Sequence, residues 1–173
     1  MTVLSSVEFN TPLGLMIAIA DEAALYLLEF TDGRGVAREI EKLEVLMQST
    51  ATTGVTPPLL SIQQELKAYF SGGLQLFKTP FRLLGTPFQQ AAWKALCDIP
   101  YGKTRSYAEE AGIIGKPTAH RAVANANGAN QLSIIVPCHR IVRSGGELGG
   151  YGGGVHRKKW LIEHEKSTLD AVS

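Results

Sequence analysis

Cysteine is scarce in this sequence: Cys97 and Cys138 are the only two among 173 residues. Two thiols are too few for a disulfide framework or a four-cysteine zinc site, so a cysteine that matters here acts as a thiol. Long apolar runs are missing too. No stretch reaches the roughly 18 to 20 apolar residues of a membrane helix, and the N-terminus lacks the basic and apolar regions of a secretory signal. A soluble, cytoplasmic protein is expected. Charge of one sign is also lacking. The net charge is only +1, and 19% charged against 45% apolar residues is a globular, not a disordered, profile. The length suits one ordinary domain or two small ones.

What is present is unevenly spread. Residues 1–85 carry 6 Lys and Arg against 9 Asp and Glu, or −3; residues 86–173 carry 11 against 7, or +4, and all four histidines. A basic second half is compatible with nucleic-acid binding, and equally with a solvated basic surface. Val3–Phe9, Leu13–Ala20 and Ala24–Phe30 read as strands of a small antiparallel sheet, separated by Asn10-Thr11-Pro12 and Asp21-Glu22 turn signals. Val36, Ile40, Leu43 and Met47 recur at helical spacing, as do Leu59, Ile62, Leu66 and Phe70. Between these two helices, Gln48–Pro58 reads as a loop, and Pro80–Pro87 as the linker to the second half. The division expected is 1–82 and 83–173.

In the second half, Phe88, Ala92 and Leu96 mark a short amphipathic helix, with Cys97 expected in its core. Ser106 with Glu109 three residues on forms a capping box, opening a helix that runs to about Gly112. Ile113-Ile114-Gly115 is a tight turn, and Lys116-Pro117-Thr118 restarts a helix that continues to Ala126. Two short helices around a glycine turn are a helix-turn-helix. The second helix has alanines at 119, 122, 124 and 126 around a single Arg121, where a major-groove reader offers several Arg, Lys, Asn or Gln side chains. Small residues suit close approach in the minor groove with little sequence readout, or simply close helix packing.

The run Ile134-Ile135-Val136-Pro137-Cys138-His139-Arg140-Ile141-Val142 places Cys138 on buried or half-buried extended chain. A polar His-Arg doublet inside it costs roughly 1–3 kcal/mol per group unless partnered, and chemistry is one reason to keep it. An imidazole can take the thiol proton, given a bend in the chain or a bridging water, with a carboxylate fixing its tautomer. Glu147, Glu163 and Glu165 are the candidates for that carboxylate; the helical stretch Arg157–Glu165 can return Glu165 to the site. Gly149-Gly150-Tyr151-Gly152-Gly153-Gly154 has no Gly-Lys-Ser/Thr and is no phosphate loop. It reads instead as a pocket wall whose amides approach a flat ligand.

Pro137-Cys138-His139-Arg140 followed by Ile-Val, with Asn130 before it and Arg121-Ala122-Val123 after Gly115-Lys116-Pro117, resembles the active-site block of the O6-alkylguanine-DNA alkyltransferases. The resemblance covers about Thr86 to Glu165. It implies an α/β (α+β) protein: a ribonuclease H-like N-terminal antiparallel-sheet domain with flanking helices, and a mostly helical winged helix-turn-helix domain that binds DNA and accepts the alkyl group. By the same resemblance Cys138 is the acceptor, His139 the water-mediated base and Glu165 its orienting carboxylate. Asn130 becomes the hinge, Arg121 the finger that fills the gap of the flipped nucleotide, and Tyr107 the residue against the target phosphate and guanine. Lys116, Thr118 and Ser144 join Arg121 and Tyr107 as DNA contacts, and Tyr151, Gly152, Ile141 and Pro137 line the substrate pocket. Gly152 stands where some relatives have a serine, so a backbone amide must serve the base oxygen. Asn125 replaces a smaller residue, and N-terminal zinc ligands found in some relatives are missing.

The implied activity is direct reversal of damage. O6-alkylguanine, and O4-alkylthymine with it, is flipped from duplex DNA and dealkylated by a monomer acting once, without metal or organic cofactor. A cysteine hydrolase or acyltransferase would share the Cys-His-Glu logic but turn over. A nonenzymatic lesion-binding protein would lack the acceptor thiol, and a transcription regulator would need reading side chains that the second helix lacks.

Overall fold

The computed structural model describes residues 2–172, which divide between Arg82 and Leu83 into two compact units. In the first unit, β1 (Ser5–Thr11), β2 (Gly14–Ala20) and β3 (Leu25–Phe30) form an antiparallel meander. Its second turn is built by Asp21, whose Oδ1 accepts the amides of Ala23 and Ala24 at 2.7 and 2.8 Å. Every residue of β3 is buried. Helix α1 (Val36–Met47) coincides with its predicted span.

Three expectations for this unit need correction. The segment read as a loop contains a fourth strand, β4 (Thr52–Thr53), parallel to β1, so the sheet runs β3-β2-β1-β4 and is not purely antiparallel. Pro57 and Pro58 open α2 (Pro57–Phe70), where first-turn amides have no intrahelical acceptor and proline loses nothing. Part of the linker joins the sheet: the Leu25 amide donates to Pro80 O at 2.9 Å, and the Arg82 amide donates to Leu25 O at 3.0 Å. The core is Met16, Ile19, Leu27 and Leu28 with Leu59, Ile62, Leu66 and Tyr69 from α2.

The second unit opens with α3 (Pro87–Cys97), capped reciprocally by Thr86 and Gln89. Then come β5 (Arg105–Ser106), α4 (Tyr107–Ile113), α5 (His120–Gly128), a 3-10 turn over Cys138–Arg140, β6 (Ile141–Val142) pairing with β5, and α6 (Val155–Val172). The Ser106–Glu109 capping box is present, and Gly115 turns at φ 78°. Trp93 Nε1 donates to Ala126 O at 2.8 Å, tying α3 to α5. Helix α5 starts later than expected: Lys116, which precedes Pro117, is driven out of the helical region, Pro117 and Thr118 lie in a turn, and the helix opens at His120. Cys97 is exposed rather than core, because the buried stripe closes with Leu96 and Ile99 and Cys97 ends the helix beside it. No helix among the described residues is long and apolar enough to cross a membrane.

Candidate active site and the surface around it

The chain before Cys138 is not extended. Ile134 is forced to φ 75°, a region a β-branched side chain rarely enters, and the stretch it belongs to is a series of turns. Asn130 stitches those turns together. Its Oδ1 accepts the Leu132 amide at 2.9 Å, and its Nδ2 donates to Val136 O at 2.8 Å and to Cys138 Sγ at 3.3 Å. The sequence run looked strand-like because it is apolar, and Ile134–Pro137 are all buried; burial here comes from a folded-back loop, not a sheet. Cys138 itself remains half-buried.

The 3-10 turn sends His139 and Arg140 inward, where both meet Glu165 of α6. His139 Nε2 lies 2.7 Å from Glu165 Oε2, both residues being fully buried or nearly so. Arg140 clasps the same carboxylate with Nε at 2.8 Å and a terminal nitrogen at 3.1 Å, and its other terminal nitrogen donates to Ile99 O at 2.8 Å. The Gly102 amide adds a bond to Glu165 Oε1 at 3.1 Å. Burial alone would raise the Glu165 carboxyl, but His139 and Arg140 hold it well below the usual carboxylate range, so it stays ionised. Burial pushes His139 down despite Glu165, leaving a neutral ring able to accept a proton. Its Nδ1 is buried and has no hydrogen-bonding partner among the described residues.

Above this cluster, Lys158 of α6 is wholly buried. Its Nζ donates to Gly150 O at 3.1 Å and sits 5.7 Å from the centre of the Tyr107 ring. Burial pushes its ammonium down to about 8, while the nearby Cys138 favours the charged form. Tyr107 is half-buried at the start of α4, its phenol raised by burial and by the charge of Cys138. A Cβ at Gly149, which has φ 74°, would lie 2.8 Å from the Tyr107 hydroxyl, so the glycine loop can approach that ring only without a side chain there.

Tyr107, Ala108, His120, Arg121, Ala124, Arg143, Ser144, Gly149 and Gly150 line one open groove of about 490 Å³. The structure thus gathers Tyr107, Arg121 and Ser144 on one surface, with Arg121, Ala122, Ala124 and Asn125 exposed along α5. Lys116 and Thr118 are exposed in the turn before α5. Of the predicted pocket residues, Tyr151 is half-buried and Gly152 exposed, whereas Pro137 and Ile141 are buried. The other two carboxylate candidates stay outside: Glu163 is exposed, and Glu147 pairs at the surface with Arg143 at 3.8 Å. Sequence reasoning missed the fork of Arg140 on Glu165, Lys158, and a buried Glu110–Asn127 pair; an apolar environment around each charged residue was the only signal, and it names no partner. No cluster of three or more His, Cys, Asp and Glu side chains is placed to hold a metal among the described residues.

Fold and site together define a helix-turn-helix protein with a thiol held beside a buried His-Glu-Arg cluster. Residues 87–167 match the family described as 6-O-methylguanine DNA methyltransferase, DNA binding domain. The methylated-DNA–protein-cysteine methyltransferase of Mycobacterium tuberculosis is 56% identical over 107 residues, 62% of this chain but only 65% of that relative's length. The Methanosarcina barkeri protein of the same name is 39% identical over 164 residues, 92% of this chain and 96% of its own. Among solved structures, Mycobacterium tuberculosis OGT in complex with DNA superposes with a TM-score of 0.80 at 39% identity, over 96% of this chain and 94% of that one. The O6-methylguanine methyltransferase of the same organism gives 0.81 at 38%, over 98% and 99%. This chain belongs to the methylated-DNA–protein-cysteine methyltransferase family.

Proposed function

We propose that this protein repairs DNA by direct reversal: it binds duplex DNA through the α4–α5 pair in the minor groove, rotates an O6-alkylguanine out of the stack and transfers the alkyl group to Cys138. The observation that carries the reading is the buried His139–Glu165 pair, 2.7 Å apart, whose second ring nitrogen has no partner among the described residues and lies in the turn that presents Cys138. In a 3-10 turn successive side chains point about 120° apart, so one bridging water carries the thiol proton to His139 Nδ1. Glu165 stabilises the imidazolium that forms. The Asn130 N–H and the Lys158 cation favour negative charge on the sulfur.

The thiolate attacks the alkyl carbon; the S–C bond forms as the C–O6 bond breaks, and its electron pair leaves with guanine, which recovers the proton from His139. The thioether is stable, so each molecule, working as a monomer, reacts once. Extrusion of the base costs a few kcal/mol, least for a damaged and poorly pairing base. Arg121, exposed on α5, fills the space the nucleotide leaves, and Tyr107 borders the extruded guanine. Lys116, Thr118 and Ser144 meet the DNA backbone, while the Gly150–Gly154 amides face the base. A Cβ at Gly152 meets nothing within 4 Å, so the position is open on its side-chain side, and a backbone amide of this loop serves the base oxygen.

Intact mass after incubation with methylated duplex tests the reading: one added methyl group on Cys138 is expected, and none with Cys138→Ala. Methyl found on Cys97, or product exceeding the moles of protein, refutes it. Arg121→Ala should slow repair of duplex far more than reaction with the free base, and equal losses would remove the finger role.

A further inference from the structure

We infer that Glu110 is a carboxylic acid that donates a proton from Oε2 to Asn127 Oδ1, closing a two-bond acid–amide pair that fixes α4 against α5. Both residues are buried, Glu110 at 1% and Asn127 at 8% exposure. Asn127 Nδ2 already donates to Glu110 Oε1 at 2.8 Å. The remaining atom of each group, Glu110 Oε2 and Asn127 Oδ1, is buried without a partner among the described residues. An ionised carboxylate and an amide oxygen are both acceptors, so as an anion the pair would leave two buried oxygens without a donor. One hydrogen satisfies both, since a protonated carboxyl gains an O–H donor.

Among the described residues no cation pairs with that carboxylate. Helix α3, packed on both helices, carries the ionisable groups Lys94 and Cys97, each exposed; α5 carries His120 and Arg121, each exposed; β5 carries Arg105, half-buried. On α4 itself Glu109 is occupied with the Ser106 cap, and Tyr107 is raised slightly by the Glu110 charge. Burial accordingly pushes the Glu110 carboxyl up to about 7, with the Asn127 bond opposing. The pair joins the helix bearing Tyr107, one turn before Glu110, to the helix bearing Arg121. Glu110 is therefore a positioning residue. This consequence for DNA rests on the function proposed above, and the protonation state does not. Above pH 7 the second bond is lost, a buried anion remains, and the two helices no longer hold one spacing.

Carbon-13 NMR of the full chain labelled at glutamate carboxyls, with Glu110 assigned from the Glu110→Gln variant, tests the protonation. A midpoint near 7 is expected; one near the ordinary 4.5 overturns the inference. Rates with methylated duplex and with free O6-methylguanine, compared from pH 6 to 9, test the positioning. The duplex-to-free-base ratio should fall about fivefold or more as Glu110 ionises, the worth of one buried hydrogen bond. In Glu110→Gln, whose amide offers an NH2 donor group and a carbonyl acceptor at every pH, the ratio should stay flat. The same fall in that variant, or a flat ratio in both, overturns the positioning role. A chain that repairs nothing while Glu110 still titrates near 7 would sink the proposed function and leave the acid–amide pair standing.

Discussion

Residues 2–82 bury a conventional apolar core, and the only charged side chain in it is Glu29; residues 83–172 bury Glu110, His139, Arg140, Arg157, Lys158 and Glu165. Moving an unpaired charge out of water costs several kcal/mol, and even a paired one is seldom better for stability than an apolar replacement. The second unit tolerates that cost repeatedly. Its ionisable groups are arranged in partnered sets, His139 and Arg140 on Glu165, Lys158 on Gly150, Arg157 on Gly153, which hold charge and proton acceptors at fixed places near one thiol. Apolar packing would be the better stabiliser and could not position a proton. Both units fold around an apolar core; the second adds to its own a set of buried ionisable groups.

With the acceptor thiol left in place, the largest effect should come from His139→Ala, which is expected to slow methyl transfer about 10²- to 10⁴-fold, the usual worth of a positioned acid–base group. Single-turnover kinetics measure it. Leu66→Ala, in the core of the first unit, should leave the rate constant per folded molecule unchanged; an equal loss there would erase the contrast between the units. On stability, Arg140→Met should cost about 3–5 kcal/mol, because it strands Glu165 in the interior. Urea unfolding followed by tryptophan fluorescence reads this directly, since both tryptophans, Trp93 and Trp160, lie in the second unit. Leu66→Ala should cost about 2–5 kcal/mol by opening a cavity, a loss seen by circular dichroism.

The two buried carboxyls of the second unit offer a finer test through pH. Glu165 is held below its unfolded value, so its stabilising contribution is present above about pH 4.5 and is lost as pH falls below that. Glu110 is held above its unfolded value, so its contribution is complete below about 4.5 and is lost as pH rises to about 7. Tryptophan-monitored unfolding should show both slopes, and Glu110→Gln should remove only the second. The smallest effect is at the exposed cap of α3: Thr86→Ala should cost about 1 kcal/mol, with no change in transfer rate.

Local rules made much of this legible. Helix α1 begins and ends where its apolar spacing does, the Ser106–Glu109 box caps the predicted helix, and Asp21 builds the turn it signals. Each of those features involves residues within a few positions of one another. The errors fall where distant partners decide. Thr52–Thr53 becomes a strand only because β1 offers an edge, and the apolar run before Cys138 bends because Asn130 bonds Val136 and Leu132. Cys97 sits on an amphipathic helix yet faces solvent, a matter of where the helix ends against its neighbours.

The sequence by itself determined the periodic elements, the asymmetry of charge between the halves, and the family, since Pro137-Cys138-His139-Arg140 and its neighbours need no coordinates to be read. The resemblance already singled out Glu165 among three carboxylates; only the tertiary structure decided that Arg140 shares it and that Glu110 finds Asn127. Glu165 lies 26 residues from His139, and Asn127 lies 17 from Glu110. Periodicity and capping act over a few residues, whereas the field that sets a buried proton's position depends on whatever the fold brings within about 3 Å.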